Sequence, residues 1–231
     1  VIDKKVTDFY SFRIIAVFLM LIGVTACKTT DSTKQSSTEN DNSELEELYW
    51  DRIDNARTSF TEADVKFMTG MIAHHAQALI MSRLAPENGA SEEVQTLAAR
   101  IINAQKDEIS TMQQWLRDRD QPVPNIEIEG LKLMIEINND PYTSFRKMPG
   151  VLSRDKIQEL ANARGSEFDQ LFLKYMIEHH AGAVHMVENL FDTDGAAQDE
   201  AAFRLASDIQ VDQRTEIERM NLMLDKLSEK S

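Results

Sequence analysis

The stretch DVKFMTGMIAHHAQALIMSRL, Asp64 to Leu84, sets two adjacent histidines in an apolar run, and it returns later as DQLFLKYMIEHHAGAVHMVENL, Asp169 to Leu190. The copies align without a gap through the motif methionines. Phe67 pairs with Phe172, Met71 with Met176, His74 and His75 with His179 and His180, Ala78 with Ala183, and Met81 with Met186. Downstream, QKDEISTMQQWL (Gln105 to Leu116) matches QRTEIERMNLML (Gln213 to Leu224) after a shift of three residues. Duplicated helical hairpins are the simplest source of such a pattern.

Local signals agree. Thr61 with Asp64, and Ser166 with Asp169, have the spacing of a helix N-cap and a carboxylate three residues on. The first His-bearing helix is expected to end near Leu84, before Pro86, and the second near Phe191, before DTDG. Ser91 to Arg117 and Gln198 to Leu227 carry apolar residues at three- and four-residue spacing, as in Leu97, Ile101, Ile109, Met112 and Leu116. The expected fold is all-α: a four-helix bundle of two hairpins, 59–118 and 166–228, joined by a long crossover at 119–165. Within that connection NIEIEG alternates like a short strand, LKLMIE fits either state, and Ser153 to Ala163 reads as a short helix capped by Ser153, with Gly165 just past its end.

The remaining residues state a location. Lys4, Lys5 and Arg13 precede the apolar run Ile14 to Ala26, too short for a comfortable span and suited to a secretory signal peptide at 1–26. It ends in VTAC, so Cys27, the only cysteine, stands where a bacterial lipoprotein would be lipidated. One cysteine excludes an internal disulfide. Residues 27–58 begin rich in Ser, Thr, Asn and acids, and read as a flexible tether because they cannot bury a core. The expected setting is the bacterial envelope, lipid-anchored and facing the periplasm or exterior. The 231 residues carry a formal net charge of -14, which repels nucleic acid and attracts small cations.

At roughly 100° per residue, Met71, His74, Ala78 and Met81 share one helical stripe with His75 beside it. Met176, His179, His180, Ala183 and Met186 repeat the arrangement, and each alanine leaves space between imidazole and thioether. On the partner helices Gln105, Glu108 and Met112, and likewise Gln213, Glu216 and Met220, share a face. The candidate metal ligands are therefore His74, His75, Met81, His179, His180 and Met186. Met71, Met112, Met176, Met220 and His185 are possible additions, although His185 corresponds to Ile80 and reads as a rim residue. Gln105, Glu108, Gln213 and Glu216 are placed to orient the imidazoles. Thioether with imidazole suits copper, above all Cu(I). A di-iron centre would want Glu-x-x-His where this chain has Met-x-x-His, so iron ranks below copper.

These motifs resemble the bacterial domain-of-unknown-function 305 family, marked by His-His-x-x-Ala-x-x-Met. The resemblance is strongest over Met148 to Leu190, including Met148-Pro149-Gly150, and extends from about Phe60 to Leu227. It implies a ferritin-like four-helix bundle, exported or lipid-anchored, with some members similar to periplasmic copper-binding proteins that use His and Met. Gly182 fits the small-residue slot after the His pair where the first repeat has Gln77, so the two sites are expected to differ. Three functions stay open: a copper-binding or copper-buffering lipoprotein, a redox metalloenzyme on the same bundle, or a structural envelope adaptor without metal. No nucleophile with its base and no paired carboxylate site supports catalysis.

Overall fold

The computed structural model describes residues 35–229, with side chains from Ser43 onward except that of Ala56. The expected signal peptide, Cys27 and the start of the tether lie outside the described residues. The chain forms two units, Val1–Glu46 and Glu47–Ser231.

Gln35–Thr58 is helical, and we label it α1. This differs from the expected irregular tether. No Gly or Pro interrupts the segment, so the backbone closes its own hydrogen bonds even though Leu45, Leu48, Tyr49 and Trp50 remain exposed.

The bundle consists of α2 (Glu62–Glu87), α3 (Glu92–Arg117), α5 (Gly165–Phe191) and α6 (Glu200–Ser228). Between the hairpins run β1 (Asn125–Glu129), β2 (Lys132–Ile137), β3 (Asp140–Pro141), a 3-10 turn at Ser144–Lys147 and the short α4 (Arg154–Asn162). The antiparallel β1–β2 ladder pairs Ile126 with Ile135 and Ile128 with Leu133. Ile135 and Leu133 are buried, so the ambiguous LKLMIE is a strand whose alternate residues face the core. Among the described residues, no helix is long and apolar enough to cross a membrane.

Thr61 caps α2 as expected: its backbone N–H donates to Asp64 Oδ2 at 2.8 Å and its hydroxyl accepts from the Asp64 N–H at 3.4 Å. Thr61→Ala is expected to cost about 1 kcal/mol, measured as a lower urea midpoint at unchanged m-value. The equivalent box at Ser166 does not form. α5 instead starts at Gly165, where φ is +54°, with Arg164 in the cap position and no side-chain cap. Asp169 has a different partner, the Ser91 N–H that opens α3, at 3.1 Å. Asp64 likewise accepts from the Ala197 N–H at 2.7 Å. Each acid at the start of a His-bearing helix thus ties down the loop of the opposite hairpin. α2 runs past its expected stop, absorbing Pro86 in its last turn.

α2 packs on α3, and α5 on α6; the two pairs meet along α2 and α5. α2 is covered on every side: from Phe67 to Ser82 every residue is buried. Two apolar clusters result, one toward each end of the α2–α5 contact. Met81, Met176, Met220, Phe168 and Phe172 belong to the first. Met71, Met112 and Trp115 belong to the second, with Met186 packed against it.

Candidate metal centre

His74 and His179 meet where α2 and α5 cross, their ring centroids 3.9 Å apart. Gly70, about one turn before His74, lies near Met186, about two turns after His179, so the two helices run antiparallel. His75 and His180 flank the central pair, at centroid distances of 6.3 and 6.2 Å from their neighbours. The paired histidines of both repeats therefore form one buried quartet, none of the four with measurable exposure.

Three of the four rings hydrogen-bond through Nε2. His74 Nε2 is 3.1 Å from the Pro149 carbonyl oxygen, and His179 Nε2 is 3.1 Å from the His74 carbonyl oxygen. A carbonyl only accepts, so both rings carry their proton on Nε2 and keep a lone pair on Nδ1. His180 Nε2 sits 2.6 Å from Glu216 Oε2. His75 Nε2 lies 2.7 Å from Glu108 Oε2, out of line for a good hydrogen bond, and both atoms lack a properly aligned partner. The Nδ1 atoms of all four rings are buried and have no hydrogen-bond partner. Buried polar atoms without partners are uncommon and ask for a reason.

Burial dominates the electrostatics. It lowers His74 to about 3, with the nearby His75 and His180 rings pushing the same way against the Pro149 carbonyl. Burial, then the His74, His180 and His75 rings, holds His179 well below the usual imidazole range. The central pair is therefore neutral at physiological pH, the form that binds metal.

The methionines sort by end of the bundle rather than by repeat. Met81 shares its cluster with Met176 and Met220 of the other repeat, while Met71 and Met112 share theirs with Met186. All of these are fully buried except the half-buried Met186. His185 is exposed, away from the quartet. Gln105 and Gln213 are buried but make no hydrogen bond to the histidines; both amide atoms of Gln105 and Oε1 of Gln213 lack partners. Among the described residues, no three His, Cys, Asp or Glu side chains are grouped to hold an ion by themselves.

The crossover supplies contacts that repeat comparison had no means of finding. Met148 Sδ lies 3.4 Å from where a Cβ of Gly70 would stand, with the Met186 methyl at the same distance. Gly150, at φ +77°, rests on α5, its would-be Cβ 2.6 Å from the His179 carbonyl oxygen. Gln77 holds Leu152 by two bonds, donating to its carbonyl at 3.0 Å and accepting from its N–H at 2.7 Å. Residues 148–152 thus form a strap across the histidines. The difference between Gln77 and Gly182 has its explanation here: one side chain grips the strap, and the missing one admits it. Met148 belongs to the Met-Pro-Gly motif, the only hint the sequence held.

Several solved structures are similar to this chain. A DUF305 protein from Streptomyces coelicolor, described as a candidate secreted protein, is 27% identical with a TM-score of 0.59, covering 72% of this chain and 92% of its own. A DUF305 fragment from Deinococcus radiodurans is 28% identical at a TM-score of 0.59, covering 73% and 99%. CopM in its Cu(I)-bound form is 26% identical at a TM-score of 0.51, covering 73% and 98%. A comparison with curated proteins gives no match. The family model "Domain of unknown function (DUF305)" matches residues 64–224, and with most of the chain inside that match, this protein belongs to the DUF305 family.

Proposed function

We propose that this chain is an envelope lipoprotein that binds or buffers copper, chiefly as Cu(I), through the histidine quartet and the methionines around it. The four partnerless Nδ1 atoms carry this reading. His74 and His179 keep their lone pairs there because the Pro149 and His74 carbonyls hold the other ring nitrogen in its protonated form. His75 and His180 are the other imidazole donors, His180 oriented by its hydrogen bond to Glu216 and His75 with Glu108 beside it. Imidazole nitrogen with thioether sulfur is a soft donor set that favours Cu(I) over oxygen-seeking ions. Met81 and Met186 are the first thioether candidates, and Met71, Met112, Met176 and Met220 can supplement them. Similarity to CopM, whose solved forms include Cu(I)- and Cu(II)-bound ones, supports the choice of metal. A lipid on Cys27 would hold the domain at the membrane.

The test is an anaerobic competition titration of the detergent-solubilised full chain against a Cu(I) chelator. The His74→Ala/His179→Ala double variant is expected to bind at least about tenfold more weakly, the scale on which even groups that merely orient ligands act. Unchanged affinity in that variant, or no binding by the unaltered chain, would sink the proposal.

A further inference from the structure

The histidines are sealed from solvent, so an ion bound there has to be passed in. α3 and α6 touch each other far less than either touches its hairpin partner. Between them lies an open cleft of ≈ 410 Å³ whose lining includes Gln105, Glu108, Asp212, Gln213 and Glu216, with Arg100 and Arg219 as its cations. Its carboxylates lead inward: Glu108 and Glu216 lie 2.7 and 2.6 Å from His75 and His180.

Two further observations mark the cleft as built to receive something. Gln105 and Gln213, which line it, are only 1% and 2% exposed. Both amide atoms of Gln105 and Oε1 of Gln213 nevertheless have no partner, a desolvation cost that a ligand's contacts would offset. The repeats also differ here. Asp212 precedes Gln213 where Ala104 precedes Gln105, so one side adds a carboxylate and the other leaves room.

We propose that the α3–α6 cleft is a capture site for a small metal cation and the port to the histidine quartet. Asp212, Glu108 and Glu216 would attract the partly hydrated ion, and the Gln105 and Gln213 carbonyls would replace part of its water shell. This rests on the copper-binding reading.

Uptake of Ag(I), a redox-stable probe for soft donor sites, separates the two ideas. The full chain in detergent is mixed with silver nitrate in chloride-free buffer, the rate followed by stopped-flow tryptophan fluorescence and the equilibrium by calorimetry. Asp212→Asn is expected to slow uptake about threefold to tenfold at low ionic strength, a difference that shrinks as salt screens the field. Its equilibrium affinity stays within about twofold, because Asp212 does not contact the quartet. Ala104→Trp fills the cleft and slows uptake by about tenfold or more at any salt, with circular dichroism confirming the helical fold. Wild-type rates in both variants overturn the port while leaving copper binding standing. An Asp212→Asn loss of affinity as large as its loss of rate also overturns it, by making Asp212 a ligand of the final site. No silver uptake by the unaltered chain overturns both proposals.

Discussion

Gly182→Ala is expected to lower stability by about 3 kcal/mol or more, at or beyond the upper range for overpacking. A Cβ on Gly182 overlaps the Pro149 carbonyl and stands 2.5 Å from Gly150 Cα. These are backbone atoms, so no rotamer change relieves the clash. Gly150 cannot retreat easily, because Gln77 holds Leu152 by both of its backbone groups. The strap must lift from α5, taking the Pro149 carbonyl away from His74 Nε2. Urea unfolding should therefore show a lower midpoint in Gly182→Ala, and copper affinity should fall with it. Gly89→Ala is the control: it has φ +68° and nothing within 4 Å of its would-be Cβ, so it suffers only the left-handed backbone penalty of about 1 kcal/mol. Equal midpoints for the two variants would show that the strap is not clamped.

Acid should destabilise the metal-free protein steeply, beginning well above the range in which carboxylates titrate. His74 titrates near 3 in the folded state and near 6.5 in an unfolded chain. Between those values the unfolded state binds a proton that the folded state refuses, so stability falls as pH falls. From about pH 7 to pH 5 His74 alone accounts for about 2 kcal/mol. His179, also fully buried and lowered, adds to the loss in the same direction. Denaturant unfolding across that interval should show the slope, and His74→Asn/His179→Asn should flatten it. A stability independent of pH over this window would mean that the central imidazoles are not sealed and neutral. The same protons compete with metal for the ring nitrogens, so copper affinity should weaken over the interval too.

Much of the bundle was readable in the residues. The repeat located both hairpins, and the Thr61–Asp64 and Ser153 caps formed where their spacing placed them, because a cap is decided within one turn. Ser166 misled because Asp169 is recruited by Ser91, far away in the chain. Helical structure at Gln35–Thr58 was missed because low apolar content argues against burial, not against helix. In the crossover, LKLMIE became a strand only through pairing with NIEIEG.

For the site, the sequence by itself determined which donors exist: four paired histidines on two helices, each with methionines on the same stripe and a glutamate on the neighbouring helix. Periodicity is enough for that, since a helix repeats every 3.6 residues whatever surrounds it. Only the tertiary structure decided how the donors combine. Antiparallel packing of α2 on α5 set His74 against His179 and exchanged the methionines between repeats. A strap absent from the repeat then fixed which ring nitrogen of His74 stays free. Those outcomes depend on contacts between residues distant in the chain, where helical periodicity carries no information.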